Sequence, residues 1–461
     1  MAGIGFELQK LVQRDDLLGP ARGYLYSAAI VAGPWILTVA AIAVISYWSP
    51  FASGSGELSL FRTITLYNFS ISLVLSAPVA MITTRFLADR IYDGDERETT
   101  GAAAAGILLT LAIQFPVPLL LYFAVSDVSP GVGLLATANY FAVAALWVAV
   151  VFLSTLKDYA PVVFSFVIGL AVAVVCAIFL RNLGAGGLIG GFTAGIAFTL
   201  FLLLGRTLGE FRAALIWPRG YFIAFRDFWP LALAALAYNA GIWIDKWIFW
   251  LSPGYAVSFF GMPAYPAYDG AMFYAHLTLA PGLAVFFALI ETGFYARYRR
   301  YYWLVRHHGT LAEIREGQEE LIAHAAGGAR ILLALHLAIA AAALLLAPSI
   351  ATWLNLMPTQ IGIFRFAVAG TAAHAFFLYA VILLAYFDLR RRVLLLSVLF
   401  LALNAAFTLA SQHFGYAYLG AGYFLAALIC AVAAMTAAQF EMGRLRYLTF
   451  IANNPATGRA L

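Results

Sequence analysis

Twelve long apolar segments alternate with short polar loops, and the basic residues of those loops fall almost wholly on one side of the series. About 20 apolar residues in a helix cross a hydrocarbon core about 30 Å thick. The segments 24–48, 63–86, 101–125, 134–156, 160–180 and 187–205, then 228–250, 269–293, 329–353, 361–385, 393–413 and 419–440, each reach that length. They are continuously apolar and do not alternate, which speaks against a β-barrel. A helix satisfies its own backbone hydrogen bonds in lipid, so helices are the physical default. Charged residues make up 11% of the chain, against about 25% in a soluble domain, which leaves too little polar surface for one. The chain reads as an all-α polytopic membrane protein with about twelve transmembrane helices in two six-helix bundles.

With the N-terminus in the cytoplasm, all of the 27 lysines and arginines except Arg62, Arg181, Lys246 and Arg365 fall on the cytoplasmic side. Both termini are therefore expected to be cytoplasmic. The net charge of +5 reflects anchoring to anionic lipid and gives no argument for nucleic acid. The two cysteines, Cys176 and Cys430, lie inside predicted spans, which excludes a disulfide framework. The first span is too long for a signal-peptide core and reads as a retained helix. The organisation is then a cytoplasmic segment 1–23, a first bundle 24–206, a basic linker 207–227, a second bundle 228–440 with a cytoplasmic amphipathic loop 294–328, and a tail 441–461.

Six spans is an even number, so any repeat between the halves is parallel, about an axis along the membrane normal. The second helix of each half carries an interior proline, Pro78 and Pro281. Paired helix breaks point to a substrate path, although proline is also common in membrane helices. In 294–328 the aromatic and arginine-rich run Tyr295–Arg306 precedes Leu311, Ile314, Leu321 and Ile322 at helical spacing among four glutamates. That pattern predicts a short amphipathic helix lying on the membrane, or under a partner protein.

Catalytic signatures are missing. None of Lys10, Lys157 and Lys246 follows a glycine, so there is no GxxxxGK[ST] phosphate loop and no ATPase. His307 and His308 have no acidic neighbours, which argues against zinc. Asp93-Gly94-Asp95 has the DxD form of sugar-nucleotide transferases, but its loop is too short for a nucleotide fold and reads as a solvated turn. No cofactor, catalytic residue or metal ligand is expected.

Ionisable groups inside hydrocarbon cost several kcal/mol unless paired, and are functional candidates by default. Asn239, Trp243, Asp245, Lys246, Trp247 and Trp250 cluster on the seventh span. Neighbouring helix residues project about 100° apart, so Asp245 and Lys246 are not expected to pair face to face. Asp245 lies about 25 Å into its helix, near the outer surface, where Lys246 reaches the headgroups and Arg62 or Arg365 serves as counter-ion in an outer gate. Arg85 and Glu291, matched in depth and opposite in sign, suggest an inner gate. His276, His336, His374, Asn68, Gln114, Asn139 and Asn404 read mostly as interhelical hydrogen-bond partners, with His374 a weaker candidate for proton coupling. Trp35, Tyr67, Trp243, Trp247 and Tyr274 offer faces on which sugar rings could stack, though membrane-interface belts account for most aromatics in such a chain.

The N-terminal Met-Ala-Gly-Ile-Gly-Phe-Glu-Leu and Gly33-Pro34-Trp35 resemble the PelG family, inner-membrane proteins of the Pel exopolysaccharide system. The run from Trp243 to Trp250, and Phe273-Tyr-Ala-His276 followed by Pro281, agree with it. The order of Asp-Lys, Tyr-Ala and proline also resembles helices seven and eight of the wider polysaccharide and lipid-oligosaccharide flippase superfamily. The resemblance covers essentially the whole chain. It implies a flippase/MATE-like two-bundle fold and export of an N-acetylgalactosamine-rich polymer. It also implies three partners: a cytoplasmic glycosyltransferase, a membrane receptor for cyclic di-GMP and a repeat-containing inner-membrane protein. The expected function is transport of this polymer from cytoplasm to periplasm through a hydrated path between the bundles. An ion-coupled small-molecule antiporter, and a hub that recruits the glycosyltransferase, remain the alternatives.

Overall fold

The computed structural model describes residue 28 and residues 32–95, 97–155, 160–211 and 215–452. The segment 1–23 and residues 453–461 of the tail lie outside the described residues, as does most of the stretch before Ala32. Contacts divide the described chain into two compact units, Ala32–Pro266 and the residues from Ala267 onward. The seventh span thus groups with the first six because it packs along the second.

The first unit begins with α1 (Gly33–Trp48) and α2 (Pro50–Asp93). At 44 residues, α2 is about 66 Å long and passes well beyond the predicted 63–86 at both ends. Its charged ends, read from sequence as loop, are helical because water outside the bilayer solvates them. The helix stops where Gly94 takes φ +69°, left-handed backbone that suits glycine. The Asp93-Gly94-Asp95 triplet is therefore a helix-end turn. Arg97 grips the Asp95 carboxylate at 2.7 and 2.9 Å and holds its pKa down to about 2.

Next come α3 (Thr99–Gln114), prolonged by Pro116–Leu120 and a π-helical turn Leu121–Val125, then α4 (Pro130–Thr155), α5 (Ala160–Leu180) and α6 (Gly184–Glu210). Helices α5 and α6 cross closely. A Cβ on Gly191 would lie 2.3 Å from the backbone nitrogen of Ala177, and one on Gly195 would lie 2.3 Å from the Ala173 methyl. Small residues four apart let membrane helices approach in this way. Glu57, on α2, accepts the Ala185 N–H at 2.7 Å and so caps the start of α6.

The linker contains α7 (Arg219–Asp227), whose buried Tyr221 meets Thr83 Oγ1 at 2.8 Å. After α8 (Trp229–Leu251) a small antiparallel hairpin forms from β1 (Val257–Phe259) and β2 (Met262–Ala264). Its turn residues, Phe260 and Gly261, both have positive φ, 51° and 78°, as a type I′ hairpin requires.

The second unit contains α9 (Pro266–Leu277), α10 (Leu279–Ala288), a π-helical segment Leu289–Phe294, α11 (Tyr295–Arg306), α12 (Leu311–Leu345), α13 (Ala347–Trp353), α14 (Pro358–Tyr386), α15 (Arg390–Ser411) and α16 (Ala421–Gly443). The amphipathic stretch 311–328 is not a separate helix. It is the first half of the 35-residue α12, opened by a capping box between Thr310 and Glu313. Its apolar face, Ile314, Leu321 and Ala325, is buried, while Glu313, Glu316 and Glu319 are exposed; on the buried side Gln318 donates to the carbonyls of Met442 and Gly443 at 2.8 and 3.0 Å. Nine helices among the described residues are long and apolar enough to cross a membrane. With 160–210 divided into α5 and α6, and with α1 and α8 added, they account for the twelve spans.

Candidate functional site

The charged centre of α8 contradicts one expectation from the sequence. Lys246 Nζ lies 3.0 Å from both Asp245 carboxylate oxygens, and both residues are buried. The 100° between neighbours holds at Cβ, but the four-carbon lysine stem bends back far enough to close it. Nζ also donates to the Ile242 carbonyl at 3.0 Å and sits 5.8 Å from the centroid of the Trp243 ring, within cation–π range. Burial of the pair is tolerable because charge, carbonyl and ring all compensate for lost water.

Of the proposed counter-ions, Arg62 donates to Ser46 Oγ at 3.0 Å. Arg365 is exposed on α14, in the second unit. On the proposed inner gate, Arg85 pairs with Asp89 one turn along at 3.3 Å and lies over the Phe228 ring. The side chain of Glu291 lies outside the described residues.

At the C-terminal end of α8, Trp250 stacks on Tyr67 of α2 with centroids 4.6 Å apart. The Tyr67 hydroxyl donates to the Pro263 carbonyl of the hairpin at 2.5 Å, and the Asp127 N–H donates to the Phe260 carbonyl at 2.9 Å. Phe249, Tyr255 and Tyr265 cluster with centroids 5.5 to 5.8 Å apart. Sequence reading missed this hairpin, because Phe-Gly is not among the Asn-Gly, Asp-Gly and Gly-Gly pairs that announce such a turn.

Asn239 faces a different region from Asp245. It lines a cavity of about 220 Å³ within the first unit, together with Leu73, Ala77, Ala80, Met81, Thr84, Trp147 and Ala235. Pro78 follows the lining residue Ala77 in sequence and stays inside an unbroken helix, where its missing N–H withdraws one bond from the preceding turn. Trp147 Nε1 donates to Ser72 at 3.1 Å, fixing the indole, and Asn239 Nδ2 donates to the Ala235 carbonyl at 2.8 Å. Thr84, Trp147 and Met81 were not singled out from sequence, since an isolated residue on an apolar helix carries no signal of what it faces.

The first unit also holds a neutral polar network. Asn68 Nδ2 donates to Asn139 Oδ1 at 2.9 Å, Tyr122 donates to Asn68 Oδ1 at 2.5 Å, and Gln114 bridges Ser76 and Tyr140 at 2.8 Å each. The interhelical reading of Asn68, Asn139 and Gln114 thus holds.

In the second unit, Tyr274 is half-buried beside Phe273. Pro281 follows a break in the helix at Thr278, so the two prolines act differently. His276 and His374 flank Tyr423 in an aromatic cluster, with centroids 5.3 and 6.0 Å from it. His336 packs on Gly282, where a Cβ would lie 1.9 Å from its Nε2. In the first unit, Trp247 is half-buried, with its Nε1 buried and lacking a hydrogen-bond partner. Among the described residues no cluster of histidine, cysteine, aspartate and glutamate has metal-binding form.

Among curated proteins none matches the chain in sequence. Among solved structures it resembles a point mutant of a MATE protein (TM-score 0.66, 15% identity, covering 97% of this chain and 99% of that one). An outward-facing multidrug resistance MATE transporter of the MOP superfamily is similar (0.65, 13%, 97% and 99%). So is a MOP superfamily transporter from Pyrococcus furiosus (0.63, 15%, 91% and 96%). At such identities the likeness establishes the fold, that of a multi-pass membrane transporter. Residues 1–450 match the PelG family, described as "Putative exopolysaccharide Exporter (EPS-E)". With a match along nearly its whole length and a MATE-like helical fold beneath it, the chain belongs to the PelG family of exopolysaccharide exporters.

Proposed function

We propose that this chain carries a Pel-type exopolysaccharide, rich in N-acetylgalactosamine, from cytoplasm to periplasm across the bacterial inner membrane, with both termini cytoplasmic. The carrying observation is the family match along residues 1–450. The Asn239 cavity supports the reading: its lining is uncharged, with an indole face for sugar C–H groups, an amide and a hydroxyl. The distribution of arginines supports the orientation. A cytoplasmic glycosyltransferase that hands over a growing chain supplies the push by elongation, so this protein needs no nucleotide site. A cyclic di-GMP receptor and a repeat-containing membrane protein complete the proposed assembly.

The test is secretion of polymer by cells whose chromosomal copy is replaced by W147A or N239A, at equal membrane level. A severalfold drop supports a path through the cavity. Undiminished secretion from both variants, with secretion lost when the whole chain is deleted, would make the protein a recruiting hub. Proton-driven drug efflux from vesicles of the purified protein would favour an antiporter instead.

A further inference from the structure

A second cavity lies in the second unit, where two helices meet at the end of the apolar stretch. The π-helical segment Leu289–Phe294 joins α10 to α11. π-helical turns are rare and recur at functional sites. Beyond it Arg297 and Arg300, three apart, project from one face of α11. Across from them α12 presents Glu320, Ala323 and His324, and with Ala296 these residues line an open cleft of about 530 Å³.

Arg297 is oriented by a 3.1 Å bond from Nη1 to the Gly293 carbonyl, inside the π-helical segment. Arg300 is held at 2.6 Å by Glu320, and both partners are partly exposed. The His324 ring, which lines the cleft, presses against bare Gly293, where a Cβ would lie 2.2 Å from Nε2. Two small residues, Ala296 and Ala323, leave the space open. The pocket thus holds two guanidinium groups against one carboxylate.

Its depth is also defined. The apolar run that begins in α10 ends at Ile290, and from Tyr295 onward α11 carries Tyr298, Tyr302 and the exposed Trp303. Aromatics of this kind mark the headgroup layer. A guanidinium fork matches the oxygens of a carboxylate or a phosphate, and phosphate is the anion that lipid headgroups supply at that depth.

We propose that this pocket binds a phosphate group at the membrane–water boundary, with Arg297 and Arg300 as its fork and Glu320 as the internal occupant of Arg300 that the phosphate displaces. This chemistry is independent of what the chain exports. The phosphate belongs either to an anionic lipid headgroup or to a soluble phosphate compound.

Intact-mass measurement and thermal unfolding of the full chain in maltoside micelles separate the two sources. One arm adds phosphatidylglycerol and the other adds inorganic diphosphate without lipid. Stabilisation or retention in the first arm assigns the lipid, and in the second the soluble ligand. In the responding arm, R297Q and R300Q should each weaken binding about tenfold, as expected for a charge-assisted bond. R299Q, whose guanidinium lies over the Tyr295 ring, should leave binding unchanged. E320Q frees Arg300 and should strengthen binding, a gain that misfolding cannot imitate. No response in either arm overturns the proposal, as does equal loss with R299Q or weaker binding with E320Q.

Discussion

Lys246 turns back along its own helix to hold both carboxylate oxygens of Asp245 at 3.0 Å, with the aspartate fully buried. Removing one member strands the other charge, and that costs about 3–5 kcal/mol, whereas replacing both with apolar groups of similar volume is often near neutral. D245N and K246M should each lower the unfolding temperature sharply, and D245L/K246M should recover most of the loss. Thermal unfolding of the purified protein measures this. Additive effects in the double variant would mean that the two charges are not coupled.

The crossing of α5 and α6 makes a second prediction. G191A places a methyl 2.3 Å from the Ala177 backbone, so the helices must separate at a cost of about 1–3 kcal/mol. Gly205 lies on the same helix with nothing within 4 Å of an added Cβ. G205A should therefore be neutral or stabilising by up to about 1 kcal/mol, from helix propensity alone. Opposite signs in thermal unfolding are the expected result.

The hairpin after α8 is tied to α2 by the Tyr67 hydroxyl and by the ring stack on Trp250. Y67F loses the hydrogen bond, worth about 0.5–1.5 kcal/mol. Y67A also loses the stack, about as much again. Limited proteolysis should show cleavage near Phe260 rising in the order wild type, Y67F, Y67A.

Filling the Asn239 cavity should stop export without unfolding the protein. A80F puts a ring into the 220 Å³ space, and secreted polymer is expected to fall about tenfold because a pyranose no longer fits. A80S should secrete normally. Lectin staining of the medium, normalised to membrane level, reads the difference.

The number and class of the helices were legible because twenty apolar residues have few other uses. Their ends were not. Glu57, Asp89 and Arg90 looked like loop residues, yet α2 contains all three, since charge stops a membrane span without stopping a helix. The Asp245–Lys246 contact was hidden because spacing describes where Cβ points, and a long side chain can reverse it. Asn68 and Asn139 were recognisable as hydrogen-bond formers by type, but only packing named them as each other's partners. The GxxxG spacing of Gly187, Gly191 and Gly195 was present in the sequence and went unused. Thr84 and Trp147 carried no signal at all, because a cavity is a property of several helices at once.

The length of α2 has a mechanical consequence. A continuous rod about 66 Å long that tilts by about 5° about its midpoint moves its two tips by about 3 Å in opposite directions. Glu57, which caps α6, and Gly94, which ends the rod, stand near those tips. A push at one tip would thus arrive at the other as a counter-swing, as long as the rod stays unbroken through Pro78.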